Sequence, residues 1–190
     1  TKTITTGTDK DGKSFVNNDG VINETSTDDF GRVSTVTTKQ NKNDTVFTKQ
    51  YSYYHGSESN ATTNMVGGIS YKLSSDRVLD YSYNYNDTGN VENVYENGKK
   101  VAVYTYDELN QLVWYADTRT GRYIRIVYDN YGNIQKRESY SLGTNWAPVK
   151  LLETRTYSYD DTNWKDKLTE FDGDSITYDK NGKPFTYRDD

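Results

Sequence analysis

The chain has 190 residues, a net charge of −5 and a sequence pI near 5.0. Leu, Ile, Val and Phe number only 34, but 19 Tyr and three Trp add large rings with a polar edge, and so small a net charge does not drive the chain apart. Four Ala against 25 Thr and 14 Val exclude a mainly helical fold, and the absence of Cys excludes disulfides, thiol nucleophiles, zinc–thiolate sites and iron–sulfur clusters.

Along the chain the first elements are loose. Thr8-Asp9-Lys10-Asp11-Gly12 and Thr27-Asp28-Asp29-Phe30-Gly31-Arg32-Val33 each read as a turn entered from a short strand. Two eroded copies are expected around Tyr51-Ser52-Tyr53 and from Tyr71 to Val78, so residues 1–78 form a degenerate stretch. From residue 79 to 190 the frame sharpens. Tyr85-Asn86 leads to Gly89 and Val91, and Tyr106-Asp107 leads to Asn110 and Leu112. Tyr128-Asp129 leads to Gly132 and Ile134, and Tyr178-Asp179 leads to Gly182 and Pro184. Tyr159-Asp160 opens a stretched copy that ends at Leu168, and a further insertion lies near Ser141 to Pro148. The turn starters at 9, 28, 86, 107, 129, 160 and 179 are spaced by 19, 58, 21, 22, 31 and 19 residues. An interval near 20 residues, with 58 close to three of them, is the mark of a repeat array without an independent second domain.

Each unit has a mechanical reading. An Asp at the first turn position accepts backbone N–H groups, and a Gly or Asn at the fourth takes the positive φ that follows a type I turn. The spacing therefore predicts tandem hairpins, with Tyr106 opposite Leu112, Tyr104 opposite Trp114, Tyr85 opposite Val91 and Tyr128 opposite Ile134. Asn97-Gly98 predicts a second, two-residue turn of the primed type, and Pro184 predicts an edge or a bulge. Hairpins that follow one another make a meander: an all-β, antiparallel strip, elongated and coiled by its own twist. A Tyr and aliphatic ladder is expected on one face and Ser, Thr, Asn and charges on the other.

The recurring Tyr-x-Tyr-Asp-x-x-Gly-x-aliphatic frame, in phase at Tyr106, Tyr128 and Tyr178, resembles the YD repeat of the Rhs (rearrangement hotspot) family. The stretch from Tyr157 to Pro184 is similar to the versions found in large surface or secreted proteins of Gram-positive bacteria. The resemblance is good over 79–190 and weak over 1–78. It implies a hollow shell wound from a continuous β-strip, as in toxin complexes, polymorphic toxins and teneurins, which in the toxins houses a C-terminal cargo. It also implies a secreted or cell-wall location, with the adjoining repeats and a C-terminal domain of the same parent chain as partners. The Asp-Pro core segment that closes such shells, and can cleave itself, is absent, so no cleavage residue carries over.

The same resemblance implies carbohydrate binding as an alternative function, for which Trp114, Trp146 and Trp164 are the stacking candidates. No catalytic residue, metal or cofactor is expected. Asp160-Asp161 and Asp172 with Asp174 sit in turns without an apolar pocket to raise an acid, and Asp9 to Gly12 lacks the spacing of a calcium loop. His55, the single histidine, has no nucleophile motif beside it. Scattered Lys and Arg on an acidic chain argue against nucleic acid, and no apolar run is long enough to span a bilayer. Residue 1 is Thr, so the chain reads as a piece of a longer protein, and a strip cut from a wall invites edge-to-edge self-association.

Overall fold

A computed structural model describes residues 4–18, 20–40, 44–55, 62–73 and 78–186. Among these every element is a strand: β1 (Ile4–Thr8), β2 (Ser14–Asn18), β3 (Val21–Thr27), β4 (Val33–Gln40), β5 (Asp44–His55), β6 (Thr62–Leu73), β7 (Val78–Tyr85), β8 (Val91–Glu96) and β9 (Lys99–Tyr106). They continue with β10 (Leu112–Asp117), β11 (Arg122–Tyr128), β12 (Ile134–Leu142), β13 (Pro148–Ser158), β14 (Glu170–Phe171), β15 (Asp174–Ser175), β16 (Thr177–Tyr178) and β17 (Pro184–Thr186). The hydrogen-bonded order from β1 to β15 is the chain order, an open antiparallel meander, and β16 and β17 form a separate pair. The turns expected after Tyr53 and between Tyr71 and Val78 fall largely outside the described residues.

Contacts divide the chain into two compact units, residues 1–85 with 93–100, and residues 86–92 with 101–190. In the first unit the faces segregate as binary patterning dictates. Gln50, Ser70 and Asp80 are in register across three strands, as are Ser52, Gly68 and Ser82. The alternate positions carry Phe47, Tyr51, Tyr71 and Tyr81, and the Tyr71 ring meets both Phe47 and Tyr81. Gly68 sits where any side chain would strike the Tyr81 carbonyl, 2.9 Å from the position of a Cβ.

In the second unit the register departs from strict alternation. Tyr106 faces Leu112 and Tyr128 faces Ile134, as the turn geometry requires, but Tyr104 lies opposite Tyr115 rather than Trp114. The cause is a one-residue bulge at Val113. The same bulge recurs six residues past the turn starter at Ser34, Gln135 and Phe185, the last directly after Pro184. Each bulge moves the outgoing strand by one residue, so the aromatic ladder is not confined to one face. Tyr104 and Tyr115 stack on one side, and Trp114, Tyr123 and Tyr140 line up on the other. Val101, Ala102, Ala116 and Ile124, in β9 to β11 of the same sheet, are buried.

Candidate functional site

The feature that recurs is the turn. Six among the described residues share one hydrogen-bond pattern, starting at Asp9, Asp28, Asn86, Asp107, Asp129 and Asp179. In each, the starter N–H donates to the carbonyl four residues on, and the N–H three residues on donates back, at 2.8–3.2 Å. The starter's Oδ1 then accepts the N–H groups two and four residues ahead, at 2.8–3.2 Å. At the fourth position Gly12, Gly31, Gly89, Asn110, Gly132 and Gly182 all have positive φ, from 61 to 88°. Asn86 builds the same turn without a charge, so what the turn requires is the acceptor oxygen. The accepted N–H groups and the neighbouring cations favour the carboxylate. The Lys13 N–H lowers the Asp9 carboxyl and the Arg32 side chain lowers that of Asp28. At Asp129 loss of solvent is the largest influence and works the other way, but the Asn133 side chain and the Asn133, Tyr131 and Gly132 N–H groups together outweigh it and lower the carboxyl.

Four of the six starters, Asn86, Asp107, Asp129 and Asp179, follow a tyrosine that ties its unit to the one before; Asp9 and Asp28 follow Thr8 and Thr27. The Tyr106 hydroxyl donates to the Val91 carbonyl at 2.9 Å, and Tyr128 donates to Leu112 at 2.9 Å. Tyr178 donates to Leu168 at 2.7 Å and Tyr85 to Val66 at 2.7 Å. Tyr53, in the eroded copy, donates to Val33 at 2.8 Å, with the Arg32 guanidinium 4.0 Å from its ring centre. Val33, Val91 and Leu112 each stand five residues past a starter. Burial pushes the Tyr85, Tyr106, Tyr128 and Tyr159 phenols up, which keeps them protonated.

A second tie runs forward from the residue four past the starter in three of the six turns, at Arg32, Asn90 and Asn133. Asn90 Nδ2 donates to Asn110 Oδ1 at 2.8 Å, and Arg32 Nη1 reaches Thr62 Oγ1 at 2.7 Å and the Thr63 carbonyl. Asn133 Nδ2 donates to the Lys165 carbonyl at 3.1 Å. Gln111 comes so close to Gly132 that a Cβ there would lie 3.0 Å from Nε2. This position is not part of the Tyr-Asp-Gly frame, and only the run of long polar side chains at Arg32, Asn90, Gln111 and Asn133 signals it in the sequence.

The stretched copy departs from the frame. Asp160 starts no turn of the six-membered kind; its N–H donates to Thr169 Oγ1 at 3.0 Å. The turn former is Asp161, whose Oδ1 accepts the N–H groups of Asn163 and Trp164 and whose Oδ2 takes the Lys167 ammonium at 2.8 Å.

The three tryptophans occupy different settings. Trp114 lies flat on Tyr123, ring centres 5.1 Å apart and planes 18° from parallel. Trp146 has φ 61° in a turn closed by the Gly143 N–H on the Ala147 carbonyl, so the insertion is a hairpin with Gly143 in the starter place and Trp146 in the Gly place. Trp164 is 52% exposed and leans on the next turn, with its ring 3.6 Å from where a Gly182 Cβ would sit. The structure does not gather them into one platform: each belongs to a different hairpin.

Elsewhere several carboxylates are held by cations. Asp117 takes Arg119 at 2.6 Å, and Arg155 bridges Glu153 at 2.6 Å and Asp172 at 2.7 Å, while Asp172 Oδ1 also accepts the Thr156 N–H. Among the described residues no group of three His, Asp or Glu is placed to hold a metal, and no buried side-chain polar atom lacks a partner.

The chain matches no protein-family model and no curated protein. It is similar in fold to a solved structure described as the crystal structure of TcdB2-TccC3-Cdc42, with a TM-score of 0.51 and 16% identity. The similarity covers 99% of this chain and 12% of that one, so the chain spans about an eighth of its structural relative.

Proposed function

We propose that this chain is a non-catalytic length of wall in a larger β-shell of the Rhs/YD-repeat kind, carried by a secreted or surface protein and used to enclose or deliver a polypeptide cargo made by the same parent chain. The observation that carries this reading is the pair of head-to-tail ties, the tyrosine hydroxyl backward and the residue four past the starter forward. They join like units in one direction without limit, which is what a wall of indefinite length requires and a closed binding domain does not. The fold neighbour, part of a toxin-complex shell, supports the same structural role.

In this reading the mechanism is exclusion. Turns of fixed form seal one end of every hairpin, and the sheet between them bars proteases and solvent proteins from what lies behind. The test is limited proteolysis of the parent protein. With the wall intact, the downstream cargo survives a protease dose that digests the free cargo. In a parent carrying Tyr106→Phe and Tyr128→Phe, cleavage of the cargo accelerates. Equal cleavage of cargo in the intact parent and free in solution would overturn the proposal.

A further inference from the structure

Residues in register across an antiparallel sheet share a face, so Tyr115, Ile124, Ser139 and Glu153 stand in one row across β10 to β13. A trough of about 570 Å³ lies over this row, a volume in the range of small-molecule sites. Its floor is closed, with Ile124 2% and Ser139 7% exposed. On one side of the row stands Arg122, in register with Asp117 and Ser141, and on the other stands Arg137, in register with Ile126 and Arg155. Both arginines line the trough, one from each end. Four residues of strand, about 13 Å, and one strand spacing of about 4.8 Å separate their backbones.

The carboxylates nearby are already engaged. Asp117, opposite Arg122 on the ladder, takes the Arg119 guanidinium through both oxygens, at 3.0 and 2.6 Å. Arg155, opposite Arg137, is held by Glu153 at 2.6 Å and by Asp172 at 2.7 Å. Among the described residues the arginines are Arg32, Arg119, Arg122, Arg125, Arg137 and Arg155. Arg32, Arg119, Arg125 and Arg155 each hold a carboxylate, in a chain of net charge −5. Arg122 and Arg137 hold none, and both of them border this one trough. A guanidinium offers a carboxylate two parallel N–H donors, so each end of the trough is an open seat for an acid.

We infer that this trough binds an elongated organic dianion of the dicarboxylate class, with one acidic end on Arg122, the other on Arg137 and its middle lying along Ile124 and Ser139. The ligand rests on the face of β11 and β12, directly over the strands that carry both arginines, so no intervening strand separates it from them. A short diacid reaches one seat at a time and a monoacid fills only one, so length and the second charge together set the preference. The inference does not depend on the wall reading, since it concerns one face of this chain alone and either can fail without the other.

The test is NMR of the arginine Nε–H groups while azelate is titrated into the chain at low salt. The Arg122 and Arg137 signals should move together and saturate at one Kd, while those of Arg119 and Arg155, already paired, stay in place. Arg122→Gln and Arg137→Gln should each weaken binding about tenfold. Both should leave the circular dichroism spectrum unchanged, because neither side chain is bonded elsewhere among the described residues. Nonanoate, which keeps the chain but one acid only, and succinate, which is too short to span the seats, should each bind about tenfold more weakly than azelate. Equal binding of nonanoate or succinate, unchanged binding in the double arginine variant, a shift at only one of the two arginines, or no saturation in the millimolar range would each overturn the inference.

Discussion

At the residue scale the repeat is held by very few atoms: one acceptor oxygen, one positive φ and one phenolic hydroxyl. Because the Asp107 Oδ1 accepts from Leu109 and Gln111, Asp107→Asn should leave stability nearly unchanged, as Asn86 already shows in its own turn. Asp107→Ala should cost about 1 kcal/mol in urea unfolding. Equal losses for the two would show that charge, not the acceptor, matters. Tyr128→Phe keeps the ring and removes only the bond to Leu112, so a loss of about 1 kcal/mol, or about 2–4 °C in Tm, is expected. An unchanged Tm would contradict the tie. Asp161 has its own signature: the Lys167 ammonium, then the Asn163 and Trp164 N–H groups, hold its carboxyl at about 2 against an ordinary 3.8. A lowered folded-state value means that this anchor is complete above pH 3.8 and is lost only as the pH falls towards 2. NMR titration of the Asp161 carboxyl tests it, and a midpoint near 3.8 in the folded chain would refute the Lys167 bond.

At the element scale the hairpin, its turn and its two-residue partner were all legible in the sequence. Asn97 and Gly98 have φ 49° and 76°, as a primed turn needs, and the Tyr106–Leu112 and Tyr128–Ile134 pairs follow from closing a three-residue loop. The bulge that follows the turns at Asp28, Asp107, Asp129 and Asp179 was not legible. Nothing at Val113 distinguishes an extra residue from an ordinary strand position, and a bulge is decided by how the outgoing strand packs on both neighbours. Its consequence is large, because it sends Trp114 to the opposite face from Tyr104 and onto Tyr123. Asp161, adjacent to the expected starter Asp160, was missed for a related reason: the stretched loop chooses its turn former by where Lys167 lies, which the frame does not encode. A double-mutant cycle on Trp114 and Tyr123 should return a coupling of about 0.5–1.5 kcal/mol. A coupling of zero would mean that the two rings merely share a face.

At the scale of the whole molecule the strand order equals the chain order, so stability is a sum of hairpins and the links between neighbours rather than one cooperative core. The small set of buried residues fits this. β1 is exposed along its full length, whereas β9 to β12 contain Val101, Ala102, Ala116, Ile124, Glu138 and Ser139, all buried. Loosening one link should therefore disturb the two units it joins and spare units further along. Amide hydrogen exchange in Tyr128→Phe measures this most directly. The account predicts that protection falls together at Asn110, Gln111, Gly132 and Asn133, on the two turns that Tyr128 connects, while Gly31 and Arg32 keep theirs. An even loss across every turn, or no loss at any, would contradict it.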